Sequence, residues 1–204
     1  MNINEYQNYH ETKAHTSAEF PYNTYLCSIP LDFPGVPLHW HDELELVVIK
    51  RGQGFVSVDF DKHLVHSGDI IIIPPRCLHA IEQDDTFKME YENIIFKPDL
   101  LSSGANDLCM IQYIVPLLDG SLPIEYFLTP ALGSFEALSN CIRQIDLVCA
   151  DQTPGWQLAV KSSLFNFFFL LISERQKKRA TPSAREWGST VSRVLPPIPN
   201  LWRK

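Results

Sequence analysis

Apolar and polar residues alternate along much of the first hundred positions, which is the pattern of β-strands with one buried face. Glu43–Lys50 alternates and then becomes continuously apolar, and the β-branched residues Ile70–Ile73 indicate a strand buried on both faces. The glycines of residues 51–54 (Arg-Gly-Gln-Gly) predict a tight turn after the first of these strands. Further strands are predicted over Phe55–Phe60, His63–His66, Leu78–Glu82 and Lys88–Phe96.

The spacing of apolar residues changes to the helical period of three to four after Pro98. It predicts helices over Asp107–Leu118, Ala131–Cys149 and Trp156–Lys177, and the last of these is apolar around most of its circumference. Beyond Arg179, the prolines and the lack of a helical period predict a disordered tail. The predicted fold class is therefore α+β, with a β-barrel first and a helical segment after it.

Four segments are predicted along the chain. An N-terminal arm occupies residues 1–20, the barrel residues 21–100, a helical dimerisation segment residues 101–178, and a basic, proline-containing tail residues 179–204. Basic residues are concentrated at the end of the chain, where residues 173–204 carry eight basic and two acidic side chains. The whole chain nevertheless has a net charge of −7. Because nucleic-acid modules usually concentrate Lys and Arg, the acidic body is expected to bind polyanions poorly.

No feature of the sequence predicts export or membrane insertion. The first twenty residues are polar and lack the apolar segment of a secretory signal, and the longest apolar stretch, around Leu164–Ile172, is interrupted by Asn166. That stretch is shorter than the roughly 20 residues that cross a bilayer, so a buried helix is expected. The five cysteines form no C-x-x-C pair and indicate reduced thiols, which predicts a cytoplasmic protein without a membrane partner.

Candidate chemistry is concentrated in two short segments of the predicted barrel. The first contains His39, His41 and Glu45, which would share one face of a strand because side chains two apart point the same way. The second ends at His79, which follows the segment Gly68–Pro74. Three imidazoles and a carboxylate are suitable ligands for Zn, Fe, Mn or Ni. An H-x-H pair alone is a weak signal, but its spacing to the glutamate, the glycines, the proline and the third histidine makes the pattern specific.

These two segments resemble the two sequence motifs of the cupin superfamily, whose fold is a β-barrel with a central pocket. The amino-acid sequence of residues 39–54 and 68–79 is most similar to that of the AraC family of bacterial transcription regulators. In that family an N-terminal cupin domain senses a small molecule, and the helices behind it dimerise. The resemblance covers about residues 20–178. It has two departures, since Arg76 stands where cupins usually carry Gly, and Gln83 stands where Asn is typical.

The resemblance implies an effector-sensing and dimerisation domain that binds a small molecule in its barrel. The implied ligand pocket consists of His39, His41, Glu43, Glu45 and His79. In cupin enzymes, the positions of His39, His41, Glu45 and His79 hold a metal ion, whereas regulators of this type commonly keep these residues without needing one. We therefore expect no required cofactor, with a divalent metal ion (Zn, Fe, Mn or Ni) as the alternative. The clustered carboxylates would also suit a polar or cationic ligand.

The family normally continues into two helix-turn-helix units, and residues 180–204 offer no such pair of helices. DNA binding is therefore expected only through a helix-turn-helix domain missing from this chain. The predicted arm carries Tyr6, Tyr9, His10 and His15, which are expected to close over the pocket. We expect a small effector to bias the arm and the dimer helices between two arrangements.

A two-fold homodimer is expected because a helix that is apolar nearly all round has more apolar surface than one contact with the barrel covers. The residues predicted at the dimer interface are Leu138, Ile142, Ile145, Leu164 and Phe168. The alternative from another class is a metal-dependent cupin enzyme, an isomerase or a dioxygenase. The long helical segment favours the regulator, because small cupin enzymes usually end soon after the barrel.

Overall fold

The computed structural model describes residues 2–104 and 106–180, with the side chains of the last helix described as far as Gln176. Strands occupy most of the first hundred positions, and helices follow them. This arrangement confirms the predicted α+β class, a cupin-like barrel followed by a helical segment. The predicted tail, residues 179–204, lies outside the described residues apart from its first two positions, which end the last helix.

The barrel is built from antiparallel strands in two sheets that share one long strand. One sheet has the order β1-β7-β3-β5-β8, and the other joins β2 to β6, β6 to β3 and β3 to β4. The strands are β1 Tyr22–Ile29, β2 Gly35–His39, β3 Leu44–Val58, β4 Asp61–His66, β5 Ile70–Ile73, β6 His79–Gln83, β7 Met89–Phe96 and β8 Phe127–Leu128.

The turn predicted over residues 51–54 is wrong, because these residues lie within β3, which continues through them. The register of β3 against β7 shifts between Ile49 and Arg51, and Gly52 has a φ of 77°. A Cβ atom on Gly52 would lie 1.8 Å from the carbonyl oxygen of Lys88, so a glycine is required there. The irregularity is a β-bulge, which bends the strand and lets it pass from the first sheet into the second.

Alternation along β3 divides the core into two parts. Leu44 and Leu46 pack against the helices, whereas Val47 and Ile49 face the interior of the barrel. Because both faces are covered, nearly every position of this half of the strand is apolar. Glu45 has the parity of the interior residues and is 2% exposed, so its carboxylate lies inside the barrel.

The helical part packs on the outer face of the first sheet. Its elements are a 3₁₀-helix at Pro98–Leu101, a π-helical turn at Met110–Ile114, and helices α2 Val115–Leu118, α3 Phe135–Asp151 and α4 Trp156–Ala180; helix α1, Ile3–Gln7, belongs to the N-terminal arm. The helix predicted over residues 107–118 is present at residues 108–118, and its middle, Met110–Ile114, is π-helical. Pro116, which has no N–H to donate to the preceding turn, follows this π-helical segment. The two long helices begin and end within four residues of their predicted bounds.

Helix α4 is long and apolar enough over Trp156–Gln176 to cross a membrane by length and composition. One face of it, however, is buried in the core between the sheet and α3. The buried side chains on this face are Val160, Leu164, Phe167, Phe168 and Leu171. A helix with one face in a protein core can be as long and as apolar as a membrane-spanning helix. The length and composition of α4 are therefore weak evidence that it spans a membrane.

Candidate functional site

Two paired strands bring His39 and His79 side by side. They are directly opposite each other in the β2–β6 ladder, with ring centroids 4.1 Å apart. In each residue Nδ1 lies 2.9 Å from a backbone carbonyl oxygen, that of Pro37 for His39 and that of Cys77 for His79. A carbonyl oxygen only accepts, so Nδ1 carries the proton and Nε2 of a neutral ring presents a lone pair. The backbone thus fixes the tautomer that leaves both Nε2 atoms free to bind.

His41 and Glu45 complete a buried cluster with His79. The Oε2 atom of Glu45 lies 3.0 Å from Nε2 of His41 and 3.3 Å from Nε2 of His79. Glu43 is also buried, with its Oε2 atom 3.6 Å from Nδ1 of His41. His41 and Glu43 lie between β2 and β3 rather than in a strand, so strand parity is not what aims them inward. The loop is held instead by the Arg76 N–H, which donates to the His41 carbonyl at 2.7 Å.

The cluster shifts the protonation of its members in different directions. Burial alone would raise the pKa of Glu45, but hydrogen bonds and charge from His41 and His79 hold it well below its usual range. Burial lowers the pKa of His41, yet Glu45 and Glu43 outweigh it and leave that pKa raised. Burial and the neighbouring His79 lower the pKa of His39 to about 4. The pairing of His41 with Glu45 therefore favours the charged form of both side chains, whereas the surroundings of the neighbouring His39 favour its neutral form.

The N-terminal arm is docked on the barrel through Trp40. The indole ring is stacked between Tyr6 and His10, with ring centroids 4.8 and 4.2 Å away. Its Nε1 atom donates to the Tyr6 carbonyl at 2.8 Å. Two backbone hydrogen bonds of 2.9 Å reinforce the contact, from the Trp40 N–H to the Tyr9 carbonyl and from the Glu11 N–H to the Trp40 carbonyl. The arm therefore covers one end of the barrel instead of extending from it.

Docking of the arm adds Glu11 and His15 to the cluster. The Oε2 atom of Glu11 lies 2.8 Å from Nε2 of His15 and 3.5 Å from Nε2 of His39. The ring of His15 is 5.5 Å from that of His41, and the His15 carbonyl accepts from the Asn23 side chain at 3.0 Å. Burial raises the pKa of Glu11, but His15 and the other histidines outweigh it, so the pKa lies below its usual value. Glu11 was missed from the sequence because no motif marks it.

The donor set fits a divalent transition metal. Ligand nitrogens of His39, His41 and His79 lie within 4.8 Å of one another, and the Glu45 carboxylate adjoins two of them. Among the described residues, Nδ1 of His41 and Nε2 of His79 are buried without a well-aligned hydrogen bond. Backbone hydrogen bonds at Nδ1 of His39 and His79 are the outer contacts that metal-binding histidines require. Zn, Fe, Mn and Ni all accept such imidazole and carboxylate ligands.

Arg76 shows why cupins usually carry Gly at its position. Its φ is 64°, in the left-handed region, which costs a side-chain-bearing residue about 1–2 kcal/mol. Three contacts compensate: its N–H to the His41 carbonyl, its Nε to Oδ1 of Asp42 at 2.7 Å, and its carbonyl, which accepts from the Tyr6 hydroxyl at 2.6 Å. The arginine thus connects the loop of His41 to the arm.

The five residues predicted for the pocket are brought together, but the five predicted for the dimer interface are not available to a partner. All of the latter are buried in the core of the same chain; they are Leu138, Ile142, Ile145, Leu164 and Phe168. Helical spacing identifies the residues that share a face, and here that face packs against the sheet. The prediction of these interface residues is therefore wrong. Among the described residues of the long helices, the exposed large apolar side chains are Leu147, Leu158, Phe165 and Phe169.

A cavity of about 380 Å³ lies elsewhere, between β4, residues 123–128 and the end of α4. Its lining includes none of the predicted pocket residues. It combines apolar side chains with Asp61, His63 and Glu174, and the His63 ring is stacked on Phe127 at 4.0 Å. This cavity is lined partly by exposed residues such as Asp61 and His63, unlike the covered histidine cluster.

The barrel with its buried histidine and glutamate centre, followed by packed helices, is a cupin-type ligand-binding domain. Residues 25–168 match the AraC-like ligand binding domain family. The match covers more than half of the chain, so the chain belongs to this family.

Several other proteins are similar to parts of this chain. The chain is 32% identical over 159 residues to the HTH-type transcriptional regulator YdeC of Bacillus subtilis, which covers 78% of this chain and 54% of that protein. It is 32% identical over 69 residues to the HTH-type transcriptional activator RhaR of Mannheimia succiniciproducens, covering 34% and 24% of the two proteins. The chain thus spans about half the length of the first relative. A cupin protein of Bacteroides fragilis matches 41% of this chain and 72% of its own, with 24% identity and a TM-score of 0.36.

Proposed function

We propose that this chain senses a small-molecule effector and dimerises as part of an AraC-type transcription regulator. The observation that carries the proposal is the centre formed by His39, His41, Glu45 and His79, which is buried in the barrel under the N-terminal arm. Apolar side chains would fill a barrel at lower cost than buried ionisable ones. A cluster of this kind is therefore best explained by a ligand that it binds.

The arm is the element that an effector would move. His41 and His79 are almost completely buried, and Glu11 and His15 of the arm occupy the space above them. A shift of the arm would open the centre to a ligand, and it would separate the stacked rings around Trp40. Effector binding then biases the chain between arrangements with different arm contacts.

One strand connects the pocket to the helices. Glu45 lies near the start of β3, and Lys50 follows five residues later on the same strand. The Lys50 ammonium contacts Asp146 of α3, at the surface where the barrel meets the helices. A displacement of β3 at the pocket would thus move Lys50 and change its contact with Asp146 of α3.

A second copy of the chain is the proposed occupant of an exposed apolar stripe on α4. Leu158, Phe165 and Phe169 share one face at spacings of seven and eleven residues, and Leu158 and Phe169 are 75% and 65% exposed. Ser162 lies between Leu158 and Phe169, so the centre of the stripe is uncharged, and Lys161 lies at its edge. Two copies can pair about a two-fold axis through this centre. DNA binding by a helix-turn-helix domain outside this chain, in the cytoplasm, completes the proposal.

A thermal-shift screen of sugars, amino acids, organic acids and polyamines tests effector binding. A ligand at about 100 times its Kd stabilises by about 2.7 kcal/mol, which raises Tm by about 5–10 °C in a chain of this size. We expect a hit to stabilise the wild type and the exposed-histidine control His66→Ala, but not His41→Ala. An equal shift in His41→Ala would contradict a ligand at this centre and direct attention to the cavity beside His63.

The second candidate is a metal-dependent cupin enzyme, an isomerase or a dioxygenase, and the observation in its favour is the donor set of three imidazoles and a carboxylate. A bound ion would supply Lewis-acid or redox chemistry, held by His39, His41, His79 and Glu45. The family assignment favours the regulator. Incubation of the Fe-, Mn- and Ni-loaded chain with the compounds that bind it, followed by mass spectrometry of the products, separates the two: unchanged compounds support the sensor, and product formation supports the enzyme.

A further inference from the structure

Two pairs of acceptor atoms face each other in the pocket. The Nε2 atom of His39 lies 3.5 Å from Oε2 of Glu11, and its Nδ1–H is already used on the Pro37 carbonyl. The Nε2 atom of His79 is in the same situation, 3.3 Å from Oε2 of Glu45. An imidazole Nε2 atom and a carboxylate oxygen attract each other only through a positive charge, either a proton at Nε2 or a metal ion between the two atoms. Both pairs therefore indicate the place of a positive charge.

The distances between these nitrogen and oxygen atoms are close to those between two ligands of one transition-metal ion. Two donors that each lie about 2.1 Å from an ion are about 3.0–3.4 Å apart for octahedral or tetrahedral angles. The observed values are 3.0 Å for Glu45 with His41, 3.3 Å for Glu45 with His79 and 3.5 Å for Glu11 with His39. The carboxylate from the arm thus adjoins one histidine of the cluster, His39, whereas the carboxylate from the barrel adjoins two, His41 and His79.

We propose that a divalent transition-metal ion held by His39, His41, His79 and Glu45 takes Glu11 of the arm as a further ligand, and so latches the arm onto the barrel. The inference rests on the proposed function, because it names the regulation of the same site. Its new element is Glu11, which makes occupancy of the centre and docking of the arm one equilibrium.

The backbone around Glu11 makes this coupling direct. Its N–H donates to the Trp40 carbonyl, and the Trp40 N–H donates to the Tyr9 carbonyl. A carboxylate bound to the ion therefore holds the residue that pairs the arm with the barrel. His15 acts as a positioning residue, since its Nε2 atom lies 2.8 Å from the Glu11 carboxylate and orients it. Loss of the ion would leave the arm attached by the Trp40 contacts and by the hydrogen bonds of Tyr6 and His15 to the barrel.

Metal titration of the complete 204-residue chain tests the first half of the inference. The chain is stripped with EDTA and titrated with Co²⁺, whose visible spectrum reports the number and kind of ligands, and with Zn²⁺ in competition. Glu11→Gln keeps the size of the side chain and weakens the ligand, whereas Glu19→Gln makes the same change at an exposed position of the same arm. We expect one Co²⁺ per chain in the wild type and Glu19→Gln, about 10–100-fold weaker binding with an altered spectrum in Glu11→Gln, and no binding in His79→Ala.

Hydrogen exchange of the arm tests the second half. The amides of Glu11 and Trp40 report the two backbone bonds between arm and barrel. Co²⁺ or Zn²⁺ is expected to slow their exchange in the wild type and in Glu19→Gln, but not in Glu11→Gln. Circular dichroism and urea unfolding of Glu11→Gln show that the variant is folded, so that a missing effect is not a folding defect.

Two results would overturn the latch. One is the absence of stoichiometric metal binding by the folded wild type at micromolar Co²⁺ and Zn²⁺. The other is a Glu11→Gln variant that binds metal as tightly as Glu19→Gln and gains the same arm protection. The sensing function is tested separately, because a small molecule that stabilises the metal-free wild type but not His41→Ala would support it whichever way the metal experiment ends.

Discussion

The Nζ atom of Lys50 lies 3.0 Å from the Oδ2 atom of Asp146, and this contact joins strand β3 of the barrel to helix α3. The same ammonium lies 2.6 Å from Oε2 of Glu92 on β7. Burial raises the pKa of Glu92, although the ammonium opposes the shift. Because β3 also carries Glu45, one strand contributes both a pocket carboxylate and the ionic link to the helical segment.

Replacing Lys50 by Met is predicted to destabilise the chain by about 1–3 kcal/mol. The change leaves the Glu92 and Asp146 carboxylates close together without a cation; the value lies below that for a fully buried pair because Lys50 is one third exposed. Urea unfolding measures the loss. Arg51→Met is the control, since it removes only a surface pair with Glu90 and is expected to cost less than about 0.5 kcal/mol. Equal losses in the two variants would contradict the structural role of Lys50.

At position 76, Gly is predicted to be more stable than Ala by about 1 kcal/mol. Both changes remove the Asp42 ion pair, but only Gly relieves the cost of the positive φ. Chemical denaturation of Arg76→Gly and Arg76→Ala measures the difference. The same pair of changes at Lys97, where φ is −75°, is the control and is expected to favour Ala. A preference for Ala at both positions would show that the backbone at Arg76 is not strained.

The stability of the metal-free chain is predicted to fall as the pH drops from about 6.5 to about 4. Burial and the neighbouring His79 lower the pKa of His39 to about 4 in the folded chain, so the unfolded state binds more protons in this window. The contribution present above pH 6.5 is therefore lost as the pH falls, by up to about 3 kcal/mol. Urea unfolding in EDTA at several pH values measures it. His39→Gln should flatten the curve, and an unchanged slope would refute the assignment to His39.

The chain is predicted to sediment at about twice its 23.3 kDa, with α4 at the contact. Phe169→Glu places a charge in the exposed stripe and is expected to give a monomer that remains folded. Leu26→Glu is the matched control, because Leu26 is similarly exposed but lies on the barrel strand β1. A monomeric wild type, or a dimer that survives Phe169→Glu, would contradict pairing through this stripe.

The sequence identifies the residues of the pocket better than it identifies the residues of the dimer surface. The spacing of His39, His41 and Glu45 identifies them whether the chain between them is strand or loop. Helical periodicity places Leu164 and Phe168 on one face but does not state which surface covers that face; the sheet does, through contacts distant in sequence.

The arm and the bulge show two further limits of sequence reasoning. Glu11 reaches His39 only because the arm pairs with Trp40, a contact between residues about thirty positions apart that no local pattern encodes. Gly52 was predicted to be in a turn because glycine permits a positive φ in turns and in bulges alike. Only the pairing of β3 with strands on both sides distinguishes the two.

Hydrogen exchange at the amides of Glu11 and Trp40, measured on the metal-free chain with and without a compound from the thermal-shift screen, tests most directly whether the pocket controls the arm. Binding at the histidine centre is predicted to change the exchange rate of both amides by about tenfold or more, with little change in the buried strand β5. A compound that binds through His41 and leaves both rates unchanged would contradict sensing through the arm.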